Sequence, residues 1–123
     1  MKRLLLLGAL SAVALIPVVQ SSAAPEKTIT LKGTVGPGFT IVLKNAAGQK
    51  VKTLKAGMYK FTVTDKSPIH NFVVENKNGK FEKEITEVSK TGTVSKTITL
   101  TKGKWKVYCE PHEAQMHQDF SVT

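Results

Sequence analysis

Lys104-Trp105-Lys106-Val107-Tyr108-Cys109-Glu110-Pro111-His112 alternates cationic and apolar side chains until a proline interrupts it. Alternation with a period of two marks a β-strand with one face in a core and the other in water. Trp105, Val107 and Cys109 then face inward, and Lys104, Lys106 and Tyr108 outward. Pro111 restricts φ and biases the residue before it away from helical values, so the chain turns sharply after the strand. The turn brings His112 back toward Cys109 at the strand's end.

The same alternation recurs along the chain. Segments rich in Thr, Val, Ile, Phe and Lys at 28–35, 39–44, 49–54, 59–65, 70–75, 94–100, 104–109 and 118–122 are separated by turn residues such as Gly36-Pro37-Gly38, Asn45-Ala46-Ala47-Gly48, Asn76-Lys77-Asn78-Gly79 and Lys102-Gly103. This pattern predicts an all-β, single-domain antiparallel Greek-key sandwich or barrel of about eight strands. The stretch 81–93 is the least regular and reads as a loop or short helical turn. Inward positions of the fifth strand are His70, Phe72 and Val74, and Met58 reads as a packing residue.

Met1-Lys2-Arg3, an apolar run from Leu4 to Val19 and the small residues that follow read as a charged n-region, an h-region and a cleavage zone. Residues 1–23 are expected to be a cleaved export signal, with cleavage after Ala23, and residues 24–123 one domain. The expected location is periplasmic or extracellular. Without Lys2 and Arg3, sixteen lysines stand against nine acids, a net charge of +7. These lysines alternate with Thr and Val as solvent faces do. A nucleic-acid binder more often uses arginines with interleaved aromatics, so lysines alternating with Thr and Val argue against a nucleic-acid partner. Steering toward an acidic partner face, or association with a membrane surface, is what such a charge permits.

One cysteine in an exported chain forms no internal disulfide and stays a reactive thiol unless something caps it. Three residues after Cys109 comes His112, and four after that Met116. Thiolate, imidazole and thioether together suit copper in a trigonal His₂Cys site with a distant axial Met. A second imidazole must come from elsewhere in the chain, and His70 lies far from this loop, on another strand. His117 reads as solvent-facing and Trp105 as core.

Ser67-Pro68-Ile69-His70-Asn71-Phe72, Tyr108-Cys109-Glu110-Pro111-His112 through Met116, and Phe120-Ser121-Val122 together resemble the cupredoxin family of small blue copper proteins, nearest to the plastocyanin, pseudoazurin and amicyanin group. The resemblance implies one copper ion held by His70, Cys109 and His112, with Met116 as the weak axial ligand. It also implies that Asn71 ties the two ligand loops together by hydrogen bonding. Three residues separate His112 from Met116, where plastocyanins have four and amicyanins two.

The function these readings favour is one-electron transfer on a mononuclear type 1 copper site. The exposed edge of His112 is the expected electron port, with Pro111, Ala114, Pro37 and Pro68 as a docking patch for a transient redox partner. The protein is expected to be a monomer and not an enzyme, since three histidines are too few for a second copper centre. The alternative is an exported protein that stores or delivers copper without redox cycling.

Overall fold

The computed structural model describes residues 11–20 and 27–123. Residues 11–20 are exposed and lie outside every strand. The expected cleavage point after Ala23 lies outside the described residues. Among those residues no helix is long and apolar enough to cross a membrane.

Among the described residues nine strands form two sheets. They are β1 (Ile29–Val35), β2 (Ile41–Lys44), β3 (Thr53–Leu54), β4 (Gly57–Asp65), β5 (Phe72–Asn76), β6 (Phe81–Thr86), β7 (Gly92–Leu100), β8 (Gly103–Tyr108) and β9 (His117–Val122). One sheet has the order β2-β1-β4-β7 and the other β3-β9-β8-β5-β6. Both sheets are mixed, because β1 pairs with β4 and β3 with β9 in parallel. After β2 the chain crosses to the second sheet at β3 and returns as β4, so β4 enters beside β1 in the same direction. The expectation of a wholly antiparallel sandwich is corrected on this point. Alternation reports which face is wet and carries no sign of strand direction.

The sheets pack face to face over Leu31, Leu43, Phe61, Phe72, Trp105 and Phe120, all buried. Trp105 is a core residue as expected, and its indole N–H donates to the Thr101 carbonyl at 2.8 Å. Inward positions of β4 are Tyr59, Phe61, Val63 and Asp65, every second residue as its alternation requires. Gly33 in β1 faces Phe72 of the opposite sheet with no room for a side chain. A Cβ there would lie 2.8 Å from two ring atoms of Phe72 and 2.9 Å from Val63 Cγ2.

Three expectations change. The stretch 81–93 is no loop or helical turn: it contains β6, a turn, and the start of β7. An edge strand need bury little, and β6 buries only Ile85 and Thr86, so it shows no alternation. The strand expected over 49–54 reduces to Thr53–Leu54 plus an isolated bridge from Lys50 to Lys44. Met58 is 44% exposed on the outer side of β4 and does not pack in the core.

Candidate metal centre

Two loops meet at one end of the sandwich. The first leaves β4 at Asp65 and is built from nested turns. The Ser67 N–H donates to Asp65 Oδ1 at 3.0 Å and the Ile69 N–H to Ser67 Oγ at 3.3 Å, while the Lys66 N–H reaches back to the Val35 carbonyl at 2.9 Å. Gly36, at φ +74°, lets the neighbouring turn lie against this loop, since a Cβ there would sit 2.8 Å from Ser67 Cβ. The loop ends at His70, which is buried at the entrance to β5.

The second loop leaves β8 at Cys109 and makes a single 3₁₀ turn, Glu110–His112, with Pro111 in its first positions where an N–H is dispensable. Backbone bonds close it on itself. The His112 N–H donates to the Cys109 carbonyl at 3.1 Å, the Met116 N–H to the His112 carbonyl at 2.9 Å, and the Cys109 N–H to the Met116 carbonyl at 3.0 Å. Cys109 and Met116 are fully buried, whereas His112 is partly open to solvent.

Asn71 joins the loops. Its Oδ1 accepts the Glu110 N–H at 2.7 Å, and its amide donates to Glu84 at 2.9 Å and to Glu110 Oε2 at 3.4 Å. This is the tie that the sequence resemblance implied.

His70, Cys109 and His112 come together. Nδ1 of His70 and Nδ1 of His112 are 3.0 Å apart, and Cys109 Sγ lies 3.6 Å from the first and 3.8 Å from the second. Among the described residues no other group of three or more His, Cys, Asp or Glu side chains is gathered this way. Bonds of about 2.0 Å to nitrogen and about 2.3 Å to sulfur, set at 120°, would separate the donors by roughly 3.5–3.7 Å. The two sulfur edges have about these lengths and the nitrogen edge is shorter. Facing lone pairs on two imidazoles and a sulfur are mutually repulsive unless a proton or a cation lies between them. The donor set of two imidazoles and one thiolate is the one that selects copper in a trigonal site.

Phe39 is a site residue that sequence reading missed, having placed it at the start of a strand. Its ring packs edge-on against both imidazoles, at 5.3 Å from His70 and 4.9 Å from His112 between centroids. Nothing in the local pattern distinguishes it, because the turn after Gly36 and not the alternation of β2 sets its position. His117 is exposed, with Nδ1 2.9 Å from the Glu113 carbonyl, as expected of a solvent-facing residue.

Tyr108 lies on the outer side of β8, opposite Trp105 and Val107, and its hydroxyl donates to Glu82 at 2.8 Å. Burial, and then the Glu82 carboxylate, push its pKa up. Lys106 sits over the Tyr108 ring and pairs with Glu75 at 3.3 Å and with Glu113.

Residues 40–123 match the sequence profile of the family described as copper binding proteins, plastocyanin/azurin family. This chain belongs to that family. As a plastocyanin/azurin-family protein it takes one copper ion, and the His70, Cys109 and His112 cluster is consistent with that cofactor. No curated protein sequence matches the chain. Among solved structures it is similar to reduced rusticyanin, with a TM-score of 0.56 and 20% identity over 79% of this chain and 80% of that one. Rusticyanin from Thiobacillus ferrooxidans gives 0.51 and 21%, over 79% and 78%. At such identities the likeness is one of fold, and the fold is that of the cupredoxins.

Proposed function

We propose that the chain is an exported electron carrier in which His70, Cys109 and His112 hold one copper ion and Met116 supplies a weak axial sulfur. The convergence of Nδ1, Nδ1 and Sγ at one end of a two-sheet core carries this reading. The copper supplies a one-electron couple between Cu(I) and Cu(II). The protein holds the ligands in place: His70 is fixed by the nested Asp65–Ser67–Ile69 turns, Cys109 and His112 by the self-bonded loop, and both loops by Asn71. Donors that barely move between two oxidation states keep the reorganisation cost of electron exchange low.

His112 is the port. It is the only member of the trio open to solvent, and the exposed residues around that end include Pro37, Phe39, Pro68, Ile69, Pro111 and Ala114. A small apolar patch of this kind fits a brief encounter with a redox partner whose acidic face the lysines steer, at a rate that falls with salt. A monomer suits such encounters. The reading assigns no catalytic step, since His117 is the one histidine outside the cluster and cannot build a second copper centre. The charged start and apolar run of residues 1–19 support a location outside the cytoplasm.

Storage or delivery is the competing reading. A delivery site would use several methionines on mobile segments, whereas Met116 is fully buried and Met58 lies on the flank of the sandwich, on β4. The deciding experiment is a visible-absorption titration with Cu(II), of the wild type and of Cys109→Ser. An intense thiolate-to-copper band at one equivalent, absent in the variant, is the expected result. Its absence in the wild type overturns the reading.

A further inference from the structure

Between Lys27 and Thr64 the chain carries seven lysines and no aspartate or glutamate. Strand register gathers three of them. Lys32 of β1 stands directly opposite Lys44 of β2, and Lys44 in turn bridges Lys50. Paired residues project to the same side of a sheet, and neighbouring strands lie about 4.8 Å apart, so the three ammonium groups form one cross-strand row. The row continues into Thr62 of β4 and Ser95 of β7, whose hydroxyl oxygens are 2.9 Å apart.

All three lysines are exposed, and none of them takes part in an ion pair among the described residues. Like charges placed directly opposite repel. The only acid on the strands of this sheet is Asp65, which is buried on the inner side. The fold thus maintains a repulsive row that no ion pair among the described residues offsets. An anionic surface laid on it would.

We propose that the outer face of the β2-β1-β4-β7 sheet docks the protein on an anionic phospholipid bilayer. The face is a sheet and not a groove. Its strands carry neither an arginine fork for base edges nor an exposed aromatic ring on which bases stack, so it lacks the features by which nucleic acids are read. Lysines beside an anionic leaflet are each attracted to it, and the threonine hydroxyls between them can donate to lipid phosphates. Met58, exposed on this same face two residues before Lys60, adds an apolar contact of the kind that enters a headgroup layer.

The orientation leaves the metal end free. β1 runs to Val35 and the turn carrying Phe39, which packs on His70 and His112. With the sheet flat on a bilayer the strands lie along its surface, and His112 faces sideways toward partners in the same plane. No residue of the row is a candidate copper ligand, so this proposal and the metal-site reading fail independently.

The test is cosedimentation of the full copper-loaded chain with vesicles of phosphatidylcholine alone or with phosphatidylglycerol added, at low salt. The apolar leader is common to every variant and cancels in the comparison. Replacing Lys32, Lys44 and Lys50 by Gln is expected to weaken partition onto anionic vesicles about a hundredfold. Replacing Lys80, Lys83 and Lys102 by Gln, exposed lysines elsewhere, is expected to leave it nearly unchanged. Arginine at the three row positions should restore binding, and an unchanged urea-unfolding midpoint shows that the fold persists. Equal losses in the two glutamine triples, equal partition onto both vesicle types, or displacement of the protein from vesicles by a DNA duplex of matched charge would each overturn the proposal.

Discussion

Asn71 accepts the Glu110 N–H at 2.7 Å while its own amide donates to Glu84 at 2.9 Å, so the residue after His70 is bonded to the residue after Cys109. Asn71 itself is fully buried. One amide side chain therefore ties together two candidate copper ligands, His70 and Cys109, that lie 39 residues apart in the chain.

Asn71→Ala removes both the acceptor of the Glu110 N–H and the donor to the Glu84 carboxylate. The expected cost is about 1–3 kcal/mol in urea unfolding of the copper-free protein. Loss of the tie should also weaken copper binding about 10–100-fold, in the range seen when groups that orient metal ligands are removed. Unchanged copper affinity in a competition titration would show that the two loops hold their places without Asn71.

Gly33→Ala should destabilise the protein by about 1–3 kcal/mol, because the new methyl group would overlap the Phe72 ring and Val63 inside the closed core. Phe72 is two residues from His70, so a shift that relieves the overlap also disturbs the first ligand. Gly38→Ala is the control, with no atom within 4 Å of the added carbon. Its urea midpoint should stay within about 0.5 kcal/mol of wild type. Equal effects of the two substitutions would mean that the sheets separate freely at Gly33.

What sequence reading could and could not reach follows from how far each feature depends on pairing. Trp105, Val107 and Cys109 were legible as inward residues because their strand has one wet face, and His112 because Pro111 marks the turn. β6 was not legible, since its outer position in the sheet leaves most of it exposed and removes the alternation. The parallel pairing of β1 with β4 was hidden because side-chain periodicity is the same for either strand direction. Phe39 reaches the two imidazoles only through the placement of the turn at Gly36, and Lys32 meets Lys44 only through the register of a hairpin, neither of which a local pattern encodes.

Burial pushes the Tyr59 phenol above its ordinary pKa, and hydrogen bonding to Glu113 does the same for the Lys106 ammonium. Below about pH 10 both groups hold their protons in the folded and unfolded chains alike, so their contribution to stability is fully present. Above that pH the unfolded chain loses these protons first, and stability falls as pH rises through the folded values. Urea midpoints measured from pH 8 to 11.5 should decline on the alkaline side. In Tyr59→Phe the decline should be shallower, although the variant starts about 1 kcal/mol lower for want of the hydroxyl's 2.6 Å bond to the Lys55 carbonyl. An identical alkaline slope in wild type and variant would remove Tyr59 from the explanation.

Gln118, two residues beyond Met116, joins the sheets through a buried side chain that makes three hydrogen bonds. Its Oε1 accepts the Leu43 N–H at 2.9 Å, and its amide donates at 3.0 Å to both the Leu43 and the Val51 carbonyls. Gln118→Leu keeps the volume but strands the Leu43 N–H and the Val51 carbonyl, while the Leu43 carbonyl keeps its bond from the Val51 N–H. The expected loss is about 2 kcal/mol. Gln118→Glu separates hydrogen bonding from packing. An ionised carboxylate still accepts from Leu43 but turns bare oxygen toward two carbonyls, so the buried acid will prefer its protonated form and its folded pKa will lie above the ordinary value of about 4.3. For an acid shifted in that direction, stability is present at low pH and is lost as pH rises. The deficit of Gln118→Glu relative to wild type should thus be small near pH 4 and grow toward pH 8 in urea unfolding of the copper-free protein. A deficit independent of pH would mean that water enters beside residue 118 and solvates the carboxylate, and that the seam between β9 and β2 is open where the structure shows it closed.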